Sequence, residues 1–151
     1  MNPSRPTPNT AGGPDQGPFA NIPWSLVLGL GALALVRPLL SITGVTESLG
    51  WSPWLQLTVT AAVSLAWIVA VVVARAPRPL LTLVYTGLTY GVFAIVLSAV
   101  LSPFLTGELQ GPVTNPFGLV SVLATNAVWG LVCGAVALAV RSALNRGRSR
   151  I

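Results

Sequence analysis

Four long stretches of the chain are almost purely apolar, and short segments between and beyond them hold most of the charges. The stretches cover residues 22–43, 54–74, 79–105 and 117–140. Each is long enough to cross roughly 30 Å of hydrocarbon as a helix, which takes about 20 residues. Their side chains are apolar on every face and do not alternate with polar ones, as a transmembrane β-barrel would require. The pattern predicts an all-α integral membrane protein with four transmembrane helices.

The segments that flank these stretches have different compositions. Residues 1–21 are dense in Pro, Gly and Asn and lack the apolar side chains that offset the entropy of ordering, which predicts a disordered tail. Residues 141–151 form a short basic tail. The predicted organisation is therefore one transmembrane domain, residues 22–140, between two tails.

The arginines are distributed unevenly among the connecting segments, and this predicts the orientation. The segments after the first and third stretches contain Glu47 and Glu108 and no arginine near their centres. Because basic residues are retained in the cytoplasm, both termini are predicted to be cytoplasmic. The absence of lysine, with Ala, Val, Leu, Gly and Arg abundant, is typical of a GC-rich bacterial genome and favours the bacterial plasma membrane. Seven of the eight arginines fall on the predicted cytoplasmic side: Arg5, Arg75, Arg78, Arg141, Arg146, Arg148 and Arg150.

Composition narrows the function classes. Only 7% of the residues are charged, against roughly 25% in a soluble domain. There is no His and a single Cys, which excludes an imidazole base, a His-ligated metal, an internal disulfide and a thiolate zinc site. We therefore expect neither enzymatic activity nor a cofactor. The carboxy-terminal arginines lack interleaved aromatic residues and fit anionic lipid headgroups better than nucleic acid.

Three of the stretches have small residues at four-residue spacing, which lets helix backbones approach closely in lipid. One interpretation is that these residues hold the four helices of one chain together. The other is that one GxxxG motif is the contact face of a homo-oligomer or of a complex with another membrane protein. The residues concerned are Ala62, Ala66 and Ala70 in the second stretch, Gly87 and Gly91 in the third, and Gly130 and Gly134 in the fourth.

A weak internal repeat has an offset of 65 or 66 residues. Arg37-Pro38 is matched by Ser102-Pro103, and each pair is followed by Thr-Gly and then a Glu. The second and fourth stretches both end next to an arginine, at Arg75 and Arg141. Because matching helices run in the same direction, the repeat predicts a parallel duplication of a two-helix hairpin.

Arg37 is the charge that lies deepest in an apolar stretch. It is about 15 residues beyond Ile22, or roughly 22 Å along a helix, and a charge inside the bilayer marks a candidate functional site. Its ionic partner would be Glu47, Glu108, a lipid or a solute. Two structural alternatives are that the side chain extends to the headgroups, or that Pro38 breaks the helix and leaves Arg37 at the surface.

The third and fourth stretches hold further polar candidates, Tyr85, Thr89 and Asn126. Their side chains either line a water-filled groove or bond to the backbone and to neighbouring helices. The tryptophans Trp67 and Trp129 lie deep in their stretches, so each indole N–H is expected to find a hydrogen-bond partner.

Two functions follow from this sequence. The first is a non-catalytic accessory or scaffold subunit that acts by helix–helix packing, with the lipid bilayer and a second copy or another membrane protein as partners. The alternative is a small oligomeric channel or transporter subunit for an anion or a neutral solute, which would use Arg37 and the polar face of the third span.

Overall fold

A computed structural model describes residues 21–42, 53–109 and 111–148 of the chain. All regular secondary structure in these ranges is helical, which confirms the predicted all-α class. The amino-terminal tail, apart from its last residue, and Glu47 lie outside the described residues. The helices are α1 (Trp24–Leu33), α2 (Val36–Ile42), α3 (Pro53–Val73), α4 (Pro79–Thr106) and α5 (Pro116–Arg148), with a short 3-10 helix (Pro112–Thr114) before α5.

Three of these helices, α3, α4 and α5, are long and apolar enough to cross a membrane, by their length and composition. Their apolar parts correspond to the second, third and fourth predicted stretches. The first predicted stretch, in contrast, contains a shorter apolar segment, Trp24–Leu40.

The first stretch is not one continuous helix, because α1 and α2 are separated by a turn at Ala34 and Leu35. Pro38 lies four residues after Ala34, where its ring would clash with the Ala34 carbonyl and has no N–H to offer it. That carbonyl accepts instead from the backbone N–H of Arg37 at 3.2 Å. The break is therefore one turn earlier than the expected break at Pro38, which itself lies in the first turn of α2.

The ends of α4 and α5 follow ordinary helix signals. Both helices have a proline as their first residue, a position where the missing N–H is harmless. Gly107 ends α4 in the left-handed conformation, with φ of 75°. The Asn115 side chain caps α5 by accepting from the Phe117 backbone N–H at 2.9 Å. At its other end α5 continues through residues 141–148, which are helix where a basic tail was predicted.

The helices pack as an antiparallel pair, α4 and α5, against which the others lie. α4 and α5 form the most extensive interface, α1 packs along α4, and α3 packs along α5. The buried core lies where these helices meet and includes Trp67, Val71, Leu83, Cys133 and Ala137.

The two helix hairpins pack differently. α4 and α5 are in close contact along their length, whereas α1 and α2 touch α3 at few positions. A duplicated hairpin is expected to repeat its internal packing, and the described residues do not show that likeness. The duplication therefore remains a prediction from sequence.

Candidate functional site

The four glycines of the GxxxG motifs face one another across the α4–α5 interface. A Cβ atom added at Gly87 would meet the backbone carbonyl of Asn126, and one added at Gly130 would meet the backbone carbonyl of Leu83. A Cβ atom at Gly134 would lie 2.8 Å from the Leu80 Cα. The motifs are therefore used within the chain, where only glycine admits this backbone approach.

The alanine stripe of α3 is used differently along its length. Ala70 packs against the buried core. Ala62 and Ala66 line an apolar groove of about 340 Å³, together with residues of α1 and α2. Two of the three alanines thus border an open groove that no helix in the described part of the chain fills.

Two indole N–H groups connect the helices, as the sequence predicts for Trp67 and Trp129. The Trp67 indole is buried and donates to the Leu30 carbonyl of α1 at 3.0 Å. The Trp129 indole of α5 donates to the Ser64 hydroxyl of α3 at 3.0 Å. Both partners were unknown from sequence, and the expectation that each indole finds one is confirmed.

Trp67 and Trp129 both line an open cleft of about 280 Å³, whose wall is formed by residues of α2, α3, α4 and α5. Its wall combines polar side chains with the faces of two tryptophans. Because each of these four helices contributes at least one polar or aromatic residue, the cleft exists only in the assembled bundle. Its polar and aromatic lining residues are Arg37, Thr60, Trp67, Tyr90, Thr125, Asn126 and Trp129.

The polar groups of the cleft differ in how far they are already satisfied. The Thr60 hydroxyl donates to the Gln56 carbonyl, and the Asn126 amide donates to the Val122 carbonyl, each at 2.8 Å. The Arg37 guanidinium is exposed, and it makes no hydrogen bond or ion pair with another described residue. A guanidinium offers five N–H donors and a permanent positive charge, so the chemistry of this cleft suits an anionic group or a hydrogen-bond acceptor.

Of the five predicted site residues that the structure describes, it brings together two, Arg37 and Asn126. The Tyr85 ring instead contacts the Trp24 ring, with centroids 5.6 Å apart. The Thr89 methyl group lies against Gly31 of α1. Glu108 follows the far end of α4, where its backbone carbonyl accepts from a serine hydroxyl.

Other cleft residues were missed or ranked too low by sequence. Tyr90 also lies in the third stretch and lines the cleft. Thr82 and Thr86 of the same helix are buried instead, and their hydroxyls donate to the Arg78 and Thr82 carbonyls. Thr60 gave no signal of its own. Thr60 lies one turn before Ser64 on α3, and Ser64 bonds to Trp129 of α5. Thr60 and Trp129 therefore line the same cleft.

Comparison of the chain with protein-family models, with curated proteins and with solved structures found no match. Within the described ranges, no group of three or more His, Cys, Asp and Glu side chains is placed to hold a metal ion. The geometry of the cleft is accordingly the basis for a functional proposal.

Proposed function

We propose that this protein is a four-span integral membrane protein of the bacterial plasma membrane, with α1 and α2 together as its first span. From Trp24 to Ile42 the chain contains about 19 residues, which extend roughly 28 Å at 1.5 Å per residue and so approach the thickness of the hydrocarbon core. The carbonyls freed at the turn between α1 and α2 need internal partners in lipid. The Ala34 carbonyl accepts from the Arg37 N–H, and the Leu30 carbonyl accepts from both the Ala34 N–H and the Trp67 indole, which supports this placement.

Both termini are placed in the cytoplasm in this proposal. The end of the bundle where α3 leads into α4 carries Arg75 and Arg78, and α5 returns to the same end with Arg141. The excess of arginine at this end follows the positive-inside rule.

The function that the geometry supports best is a small channel or transporter subunit for an anion or a neutral solute, without catalysis. The single observation that carries it is Arg37, which borders a cleft formed by four helices and is the one charged residue in the four predicted stretches. An arginine held inside a bilayer costs at least about 2.5 kcal/mol on insertion scales. A bound anion offsets that cost, and a cleft that opens at intervals would let the anion pass.

The test is anion flux in proteoliposomes that contain the purified full-length protein, with chloride as the anion and glycerol as the neutral solute. Arg37→Leu is expected to lower chloride flux at least tenfold, while Arg37→Lys retains part of it. Arg78→Leu is the matched control, because it removes the same charge outside the cleft. Unchanged chloride and glycerol flux in Arg37→Leu, or no flux above that of empty liposomes, would contradict this function.

A second candidate, the accessory subunit, is supported by the open groove at Ala62 and Ala66. Small residues that face lipid are a suitable surface for another transmembrane helix. With the four glycines engaged inside the chain, this groove is a small-residue face that stays open among the described residues. Purification in mild detergent followed by mass spectrometry is expected to recover a stoichiometric partner, which Ala62→Leu and Ala66→Leu together release without unfolding the chain. A partner retained by the double variant would contradict docking in this groove.

A further inference from the structure

The end of the bundle that holds the α3–α4 turn carries a concentration of positive charge. Arg75 and Arg78 lie in the turn, and Arg141 and Arg146 lie on α5 beside it. The only acidic residue in the described part of the chain is Glu108, which follows the opposite end of α4. Arg75 and Arg141 therefore have no carboxylate of their own chain, among the described residues, to neutralise them.

Arg75 occupies a backbone position that favours glycine. Its φ is 50°, and it is the one described non-glycine residue with a positive φ. The N–H of Arg75 bonds to the Val72 carbonyl and that of Ala76 bonds to the Val71 carbonyl, each at 3.2 Å. This is the Schellman pattern of a helix end, in which the left-handed residue is usually glycine. An arginine here costs backbone energy, and strain of this kind points to a role for its side chain.

Arg141 is held in place by the same turn. Its Nη1 donates to the Ala76 carbonyl at 2.6 Å, which joins α5 to the residue that follows Arg75. One hydrogen bond of this kind uses one of five guanidinium N–H donors. The guanidinium keeps its positive charge and its other N–H donors, and the bond to Ala76 holds it beside the turn.

Arg75 and Arg141 together line a pocket of about 680 Å³ between the ends of α3 and α5. We propose that this pocket binds the phosphate group of an anionic phospholipid. Two guanidinium groups can form paired, charge-assisted hydrogen bonds with phosphate oxygens. The inference rests on the proposed membrane placement and is independent of the function proposed for the Arg37 cleft.

The rest of the pocket favours a lipid over a free phosphate ion. Its wall also contains Val73 and Leu144, which are 74% and 59% exposed. These aliphatic side chains need an apolar neighbour, which the acyl chains of a phospholipid supply and a free phosphate ion does not. Basic pockets between helices at the cytoplasmic face are suited to lipid headgroups for this reason.

The test is lipid binding to the full-length protein in mild detergent, measured by native mass spectrometry. The probes are short-chain phosphatidylglycerol, the matching phosphatidylcholine as the zwitterionic control, and inorganic phosphate as competitor. Arg75→Gly is the informative variant, since glycine adopts the left-handed conformation freely and should keep or raise thermal stability. Arg78→Gly is the matched control, because it removes the same side chain and charge three residues away.

We expect phosphatidylglycerol to bind at least tenfold more tightly than phosphatidylcholine. Arg75→Gly should weaken phosphatidylglycerol binding at least tenfold, Arg78→Gly should weaken it less than threefold, and inorganic phosphate should not compete. Equal weakening by the two variants would overturn the proposal in favour of diffuse charge attraction. Competition by inorganic phosphate would overturn it in favour of a free-anion site. If Arg75→Gly lost lipid binding and also unfolded at a lower temperature, a disrupted turn would explain the loss, and the proposal would be overturned.

Discussion

Replacing Gly130 with alanine tests the close approach of α4 and α5 most directly. The added Cβ would meet the carbonyl oxygen of Leu83, and would lie 2.9 Å from the Leu83 carbonyl carbon and 3.0 Å from the Val84 Cα. All three atoms belong to the backbone of α4. Because no side-chain rotation relieves these contacts, the two helices must move apart.

Two opposing effects set the magnitude. Alanine is better than glycine in a helix interior by about 1 kcal/mol, which favours the variant. Overpacking costs about 1–3 kcal/mol where side chains can adjust, and the upper part of that range applies because the contact is with backbone. The expected net loss in free energy of unfolding is therefore about 1–2 kcal/mol.

The assay is reversible unfolding by SDS in mixed micelles, followed by tryptophan fluorescence. Gly29→Ala is the matched control, because a Cβ atom there has nothing within 4 Å and the variant should be neutral or stabilised by up to about 1 kcal/mol. Gly91→Ala should fall between the two, since its Cβ would lie 3.2 Å from the Leu123 Cδ2, which can rotate away.

The order of the three unfolding midpoints tests whether α4 and α5 approach closely at Gly130. If Gly130→Ala unfolds at the same SDS fraction as Gly29→Ala, then the helices do not approach at this glycine, and the assignment of the GxxxG motifs to an internal interface is refuted. If Gly130→Ala instead keeps the wild-type midpoint but loses a second copy of the chain, the motif is an oligomer contact, as one of the two sequence interpretations proposes.

Three further predictions concern single buried or bonded groups. Trp67→Phe removes the indole donor to the Leu30 carbonyl, which keeps its bond from the Ala34 N–H, so the free energy of unfolding should fall by about 0.5–1.5 kcal/mol; an unchanged SDS midpoint would contradict the bond. Cys133 is 3% exposed and should react with a membrane-permeant maleimide only on unfolding, so that labelling at the denatured rate in the native state would disprove its burial. Arg141→Met removes the bond to the Ala76 carbonyl and should lower the free energy of unfolding by about 1–3 kcal/mol. Arg141→Lys should lower it less in the same SDS titration, and equal losses in the two variants would argue against a directed bond.

The sequence by itself determined that this chain is helical and where most of its long helices lie. In lipid the backbone of a helix satisfies its hydrogen bonds within one segment, so an apolar run of 20 or more residues is enough to predict a helix. The ends of α4 are also determined by nearby residues, because the helix begins at Pro79 and is ended by Gly107. That the indole N–H groups of Trp67 and Trp129 find partners was also predictable, because both residues lie deep in apolar stretches.

The tertiary structure alone decided which faces meet. A four-residue spacing shows that one side of a helix is small, and it does not identify the neighbour. Gly87 and Gly130 therefore carry the same sequence signal as Ala62, yet the glycines lie in the tightest interface and Ala62 borders an open groove. The presence of Arg37 and Asn126 in the wall of one cleft is another such case, because it depends on how α2 packs on α3 and on the turn at Ala34 and Leu35 that positions α2. These contacts join residues far apart in the chain, and a hydropathy pattern records only positions along one helix.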